Sequence, residues 1–128
     1  MNLRSPMRNA LGLGSAKGGS GHWFGQRITA VALAILGPWF VISLVCLGGT
    51  GHAAVLAWLH SLPHATLVVL LVAVAAHHAD LGLQVVLEDY VAAEGTRIAV
   101  LTAVKFALVA AALIGILAVL RIAFGAAG

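Results

Sequence analysis

The chain has 128 residues, 62% of them hydrophobic and only 9% charged, with a mean hydropathy of +1.07; soluble domains carry roughly 25% charged residues, so this is the composition of an integral membrane protein. Seven Lys and Arg against four Asp and Glu leave a net charge of +3. Four of the seven, Arg4, Arg8, Lys17 and Arg27, lie in the first 27 residues and the rest are dispersed, so no continuous basic patch supports nucleic-acid binding.

Residues 1–27 form a polar arm ahead of the first apolar run and are expected on the cytoplasmic side. Its glycines and Lys17, in LGLGSAKGGSGHW, superficially suggest a phosphate-binding loop. The Walker spacing is absent, no strand precedes the stretch, and the remaining chain leaves no room for a nucleotide-binding domain. Glycine here suits an extended arm lying against another protein surface, with His22 and Trp23 marking the membrane interface.

Residues 28–128 read as a transmembrane domain. Three runs, about 28–47, 65–87 and 98–120, are long enough to cross an apolar core of about 30 Å at about 1.5 Å per helical residue. The first run is too long, and too far from the N-terminus, for a secretory signal, and is expected to be retained. Cys46 lies within it and reads as a small packed hydrophobe. Arg4, Arg8, Lys17 and Arg27 precede the first span, the loop 48–64 has neither Lys nor Arg, and Arg97 precedes the third span. A cytoplasmic N-terminus and a periplasmic C-terminus follow, with Arg121 a mild exception.

The loop GGTGHAAVLAWLHSLPH carries His52, His60 and His64 around Trp58. An interfacial turn of helix with Trp58 at headgroup level accounts for it better than a metal site, because no carboxylate or cysteine accompanies the histidines. Pro63 fits the first turn of the following helix, where its missing N–H is harmless.

The second span ends in HHADLGLQVVLEDY, residues 77–90. At about 100° and about 1.5 Å per residue, Asp89 lies within about 20° of His78 around the helix and about 16 Å along it. Gly82, one turn beyond His78, shares that face and leaves its backbone open to a flat group. His77 and Asp80 point elsewhere; Asp80 is three residues from His77 and four from Gln84, the spacing of a local polar pair. His78 can be an interhelical hydrogen-bonding group, or an axial ligand of haem iron whose second ligand comes from another chain. Glu88, Asp89 and Tyr90 can be a solvated helix end with an aromatic anchor, or a phenol and carboxylate that hydrogen-bond a quinone and relay protons to it.

The stretch HADLGLQVVLEDYV, residues 78–91, resembles the signature of the hydrophobic membrane anchor subunit of succinate dehydrogenase, the D-type anchor of the quinone-reducing complex. In that signature a histidine is followed by glycine at four and Asp-Tyr at eleven and twelve residues, as His78, Gly82, Asp89 and Tyr90 are here. The N-terminal stretch resembles bacterial members in its His-Trp pair and in Gln26-Arg27-Ile28-Thr29-Ala30. Residues 48–64 and the third span resemble them only in character.

The resemblance implies an all-α membrane protein, three transmembrane helices with an extended N-terminal arm, packing with a second anchor subunit into a haem-binding helical bundle of the bacterial inner membrane. His78 would give one axial ligand to the iron of a shared haem b and Gly82 would let the haem approach. Tyr90 and Asp89 would belong to the ubiquinone site, and Arg27 to that site or to a haem propionate. The implied partners are a C-type cytochrome b anchor subunit, an iron–sulfur subunit and a flavoprotein subunit, the last two holding the iron–sulfur clusters and FAD. The chain would pass no electrons alone: it would be a subunit of an enzyme moving electrons from succinate to quinone, with no catalytic residue of its own. Two other classes stand beside this reading, a structural anchor without haem and a small proton or ion transporter subunit using His77, Asp80 and Asp89. Asp80 departs from the family pattern, where an apolar or aromatic residue is expected.

Overall fold

A computed structural model describes residues 16–125, which form four helices and, among those residues, no strand. Helix α1 spans Ala16–Leu47, the short α2 His52–His60, α3 Leu62–Tyr90 and α4 Glu94–Phe124. Three of them, α1 from Ser20 onward, α3 and α4, are long and apolar enough to cross a membrane. At about 1.5 Å per residue each exceeds an apolar core of about 30 Å, so their ends project beyond it or the helices tilt. The apolar runs expected from the sequence lie inside these helices. Residues 16–27 of the arm continue the first span as helix, since adding residues to an existing helix avoids a new nucleation step; Arg4 and Arg8 lie outside the described residues.

The breaks between helices have local causes. Gly49 and Gly51 both hold φ of +85°, a left-handed conformation disfavoured for side-chain-bearing residues, and they turn the chain after Leu47. Thr50 closes that turn by donating from its hydroxyl to the Leu47 carbonyl at 2.6 Å. Ser61 is extended between α2 and α3, and Pro63 sits in the first turn of α3, as expected. Helix α3 stops at Val91, also extended, and α4 begins with Glu94 and carries Arg121 in its last turn. Both charges complement the helix dipole, which gives Arg121 a local reason at its end of the chain.

Helix α3 is the centre of the bundle: it packs on α1 along one side and α4 along the other, while α2 braces α3 and α4. Close approach is set by small residues. A Cβ on Gly25 of α1 would lie 3.4 Å from Leu81 of α3, and one on Gly115 of α4 would lie 3.4 Å from Val72. Among the described residues very little is buried within the chain: Leu36, Ala65, Val68 and Leu81, and one polar residue, Thr29. Large side chains such as Ile35, Val45, Phe106 and Ile114 are exposed over the rest of the surface. In water such a surface would aggregate; in a bilayer it meets acyl chains and other membrane helices.

At the α2 end of the bundle the ring of Trp58 stacks on His64 at 4.8 Å and on Trp39 at 5.8 Å. Trp58 therefore joins α1, α2 and α3 in an aromatic knot, and His64 is engaged through its ring face. No group of three or more His, Cys, Asp or Glu side chains is placed to hold a metal ion among the described residues.

Candidate functional site

The seam between α1 and α3 gathers one of the two sets of polar groups in the bundle. On α1, His22, Gln26 and Thr29 recur at four and three residues and so share one helical face. On α3, which runs the opposite way, His78, Gly82 and Val85 share the facing stripe. Thr29 is 7% exposed, and its Oγ1 lies 2.8 Å from Nδ1 of His78. The same oxygen is 2.8 Å from the Gly25 carbonyl and 3.1 Å from the Gln26 carbonyl. Helix α1 thus holds the His78 ring by one nitrogen and leaves Nε2 for another partner.

One turn nearer the end of α3 the two helices part around a cavity of about 590 Å³, lined by His22, Trp23, Gln26, Gly82, Gln84, Val85 and Glu88. The wall at Gly82 is open: a Cβ there would meet only Nε2 of Gln26, at 3.6 Å. His22 Nε2 and Gln26 Oε1 are buried without a hydrogen-bonding partner. Buried polar atoms are nearly always satisfied, so this pair, like His64 Nδ1 beside Trp58, calls for a partner the chain does not supply, water or a polar group of another molecule.

The other expected site residues are distributed differently. Asp89 and Tyr90 close α3 at the same end as the cavity but do not line it; Tyr90 is 85% exposed. Glu88, a residue earlier, is in the wall instead, accepting a 2.9 Å hydrogen bond from Gln84. Arg27 faces outward with its guanidinium 4.7 Å over the ring of Trp23, a cation–π contact that anchors both side chains at the start of the span.

Asp80 does not form the local pair expected with His77 or Gln84. Its carboxylate lies 3.5 Å from Nζ of Lys105 on α4, and Gln84 is engaged with Glu88. The reason is low dielectric: a carboxylate inside a membrane span is stabilised most by a full opposite charge, and α4 supplies one. His77 lies on this side too, in a groove with Asp80, Lys105 and apolar residues of α3 and α4. The two adjacent histidines, about 100° apart around the helix, thus serve different faces of α3.

Three groups escaped the sequence reading. Lys105 is legible as a second isolated charge deep in an apolar span, the natural match for an isolated Asp80 in another span. Gln26 and Thr29 were legible as site residues from their one-face spacing with His22. Nothing in the sequence placed that face against His78.

Residues 1–117 match the family model described as succinate dehydrogenase/fumarate reductase transmembrane subunit. Among curated proteins, the chain is 36% identical over 106 residues to a succinate dehydrogenase hydrophobic membrane anchor subunit of Rickettsia bellii, covering 81% of this chain and 83% of that one. It is 31% identical over 128 residues to the subunit of the same name from Paracoccus denitrificans, covering 98% of this chain and 97% of that one. No solved structure matches significantly. With an all-helical bundle of three membrane-spanning helices and a family match over nearly its whole length, the chain belongs to the succinate dehydrogenase/fumarate reductase transmembrane subunits, as a hydrophobic membrane anchor.

Proposed function

We propose that this anchor contributes His78 as one axial ligand of a haem b shared with a C-type anchor subunit, and that Tyr90 and Asp89 form its part of a ubiquinone-reduction site at the cytoplasmic membrane face. The observation that carries the reading is the α1–α3 seam. An imidazole within a membrane span is held by one nitrogen, and a cavity one turn away contains two buried polar atoms, His22 Nε2 and Gln26 Oε1, that the chain itself leaves unsatisfied.

The residues fit the group. Neutral imidazole is a good axial ligand for haem iron, and one such nitrogen per chain calls for a partner to bring the other. When bound, the haem supplies a one-electron redox centre within the membrane. Gly82 leaves the seam open to a flat group, and His22 and Gln26 can hydrogen-bond polar substituents at its edge. Arg27, held over Trp23, is a further cation at this end for a propionate or the quinone site.

Tyr90 and Asp89 act at the membrane surface. The exposed phenol can donate a hydrogen bond to a quinone carbonyl, and the adjacent carboxylate can pass protons from water as the quinone is reduced. Electrons would reach the quinone from a flavoprotein subunit through an iron–sulfur subunit, so this chain anchors those subunits and shapes the acceptor site.

Affinity purification of the tagged chain in mild detergent tests the assembly: a flavoprotein, an iron–sulfur protein and a second membrane subunit are expected with it. Recovery of the chain alone from a membrane in which it assembles normally contradicts the proposal. The Asp80–Lys105 pair weighs against a transporter, because it joins two helices on the side of α3 away from His78.

A further inference from the structure

We propose that Thr29 is a positioning residue for His78, selecting the imidazole tautomer that presents a free lone pair at Nε2. This rests on the reading of His78 as a haem ligand and names the group that prepares it. Thr29 is the buried polar residue of the described chain, and its hydroxyl has one proton and three neighbours: the Gly25 carbonyl at 2.8 Å, the Gln26 carbonyl at 3.1 Å and His78 Nδ1 at 2.8 Å.

Two of those neighbours, the carbonyl oxygens, can only accept. If the hydroxyl proton went to Nδ1, the lone pairs of Oγ1 would face both carbonyl oxygens across hydrogen-bonding distance with no proton between them. If the proton goes to the Gly25 carbonyl, with the Gln26 carbonyl sharing it, Oγ1 is free to accept from Nδ1–H. The second arrangement satisfies every group. It runs His78 Nδ1–H to Thr29 Oγ1, and Thr29 O–H to the backbone of α1.

The tautomer follows directly. A neutral imidazole protonated at Nδ1 has its lone pair at Nε2, which is the form that binds a metal. The acceptor on Nδ1–H also fixes the ring's rotation and pushes electron density toward Nε2, the usual effect of a second group on a ligating histidine. Because Oγ1 is itself tied to the α1 backbone, the ring is set by a helix rather than by a mobile side chain. A stronger donor favours ferric over ferrous iron, so the contact would hold the potential of a bound haem down.

The test uses the intact complex with Thr29→Val, which keeps the shape and removes the hydroxyl, and Thr29→Ser, which restores it. Loss of such a contact typically lowers metal affinity by about 10–100-fold. A tenfold loss falling on the ferric form raises a one-electron midpoint potential by about 59 mV. We expect Thr29→Val to lose haem about tenfold more readily on dilution and to titrate at a more positive potential, and Thr29→Ser to recover both. Thr29→Ala replaces Thr29→Val if a methyl set against the two carbonyls and the His78 ring blocks assembly.

Wild-type haem retention and potential in either hydroxyl-free variant overturn the proposal. The His78→Leu complex separates this from the underlying reading. If His78→Leu removes the haem signal while Thr29→Val changes nothing, His78 is a ligand that Thr29 does not position. If His78→Leu leaves the signal intact, the ligand assignment itself fails.

Discussion

Replacing Lys105 should harm the bundle more than replacing its partner Asp80, although the two form one contact. Their charges lie 3.5 Å apart with side chains 62% and 22% exposed respectively. At that separation the Coulomb attraction is about 5 kcal/mol with an effective dielectric of about 20. Lys105 sits eleven residues into α4, about 16 Å along its axis. In Lys105→Met the short, mostly enclosed Asp80 is left unpaired, and a charge at mid-helix in a membrane costs roughly 2.5–3.5 kcal/mol. In Asp80→Asn the long, exposed lysine can swing its ammonium toward the interface, which should hold the loss to about 1 kcal/mol. The double variant removes both charges and should lie nearer the wild type than Lys105→Met does. Denaturation of the assembled complex by sodium dodecyl sulfate in mixed micelles gives the three differences. Equal losses in the single variants, or a double variant whose loss is their sum, would refute a coupled pair with one mobile member.

Tyr90→Phe should slow quinone reduction while leaving succinate oxidation by a soluble artificial acceptor intact; equal rates with quinone would return Tyr90 to the role of an interfacial anchor. Gly82→Ala should bind haem nearly as the wild type does, because its Cβ meets Gln26 at an ordinary 3.6 Å. Gly82→Leu should reduce the haem-to-flavin ratio of the purified complex by filling the α1–α3 seam, and an unchanged ratio would separate that seam from the haem. Gly49→Ala should destabilise the turn after α1 by about 1–2 kcal/mol, since φ is +85° there. Gly95→Ala, in the first turn of α4 with open space around it, should not destabilise, and thermal unfolding of the complex compares the two.

Much of this architecture was legible because a bilayer imposes simple demands. Apolar runs of about twenty residues become helices, and Pro63 and the glycines after Leu47 mark where helices begin and turn. The single face shared by His78 and Gly82 was also readable, as it depends only on helix periodicity. What could not be read was pairing between helices. Asp80 has the spacing of a local partner of His77, and although Lys105 stands out as an isolated charge in another span, helix periodicity alone does not bring together two residues 25 positions apart on α3 and α4. Likewise Thr29 and His78 are 49 residues apart, and their contact depends on which faces of α1 and α3 meet. Periodicity gives each helix its faces but does not say which face turns inward, a choice that small residues such as Gly25 and Gly115 help make by permitting close approach.

The two adjacent histidines offer the most direct measurement. His78 faces α1 through Thr29, whereas His77 is exposed in the α3–α4 groove beside Asp80 and Lys105. In reduced-minus-oxidised spectra of the purified complex, His78→Leu should abolish or strongly perturb the low-spin b-type signal and His77→Leu should leave it in place. A wild-type spectrum in His78→Leu would contradict the assignment of this seam as the anchor's share of a haem site.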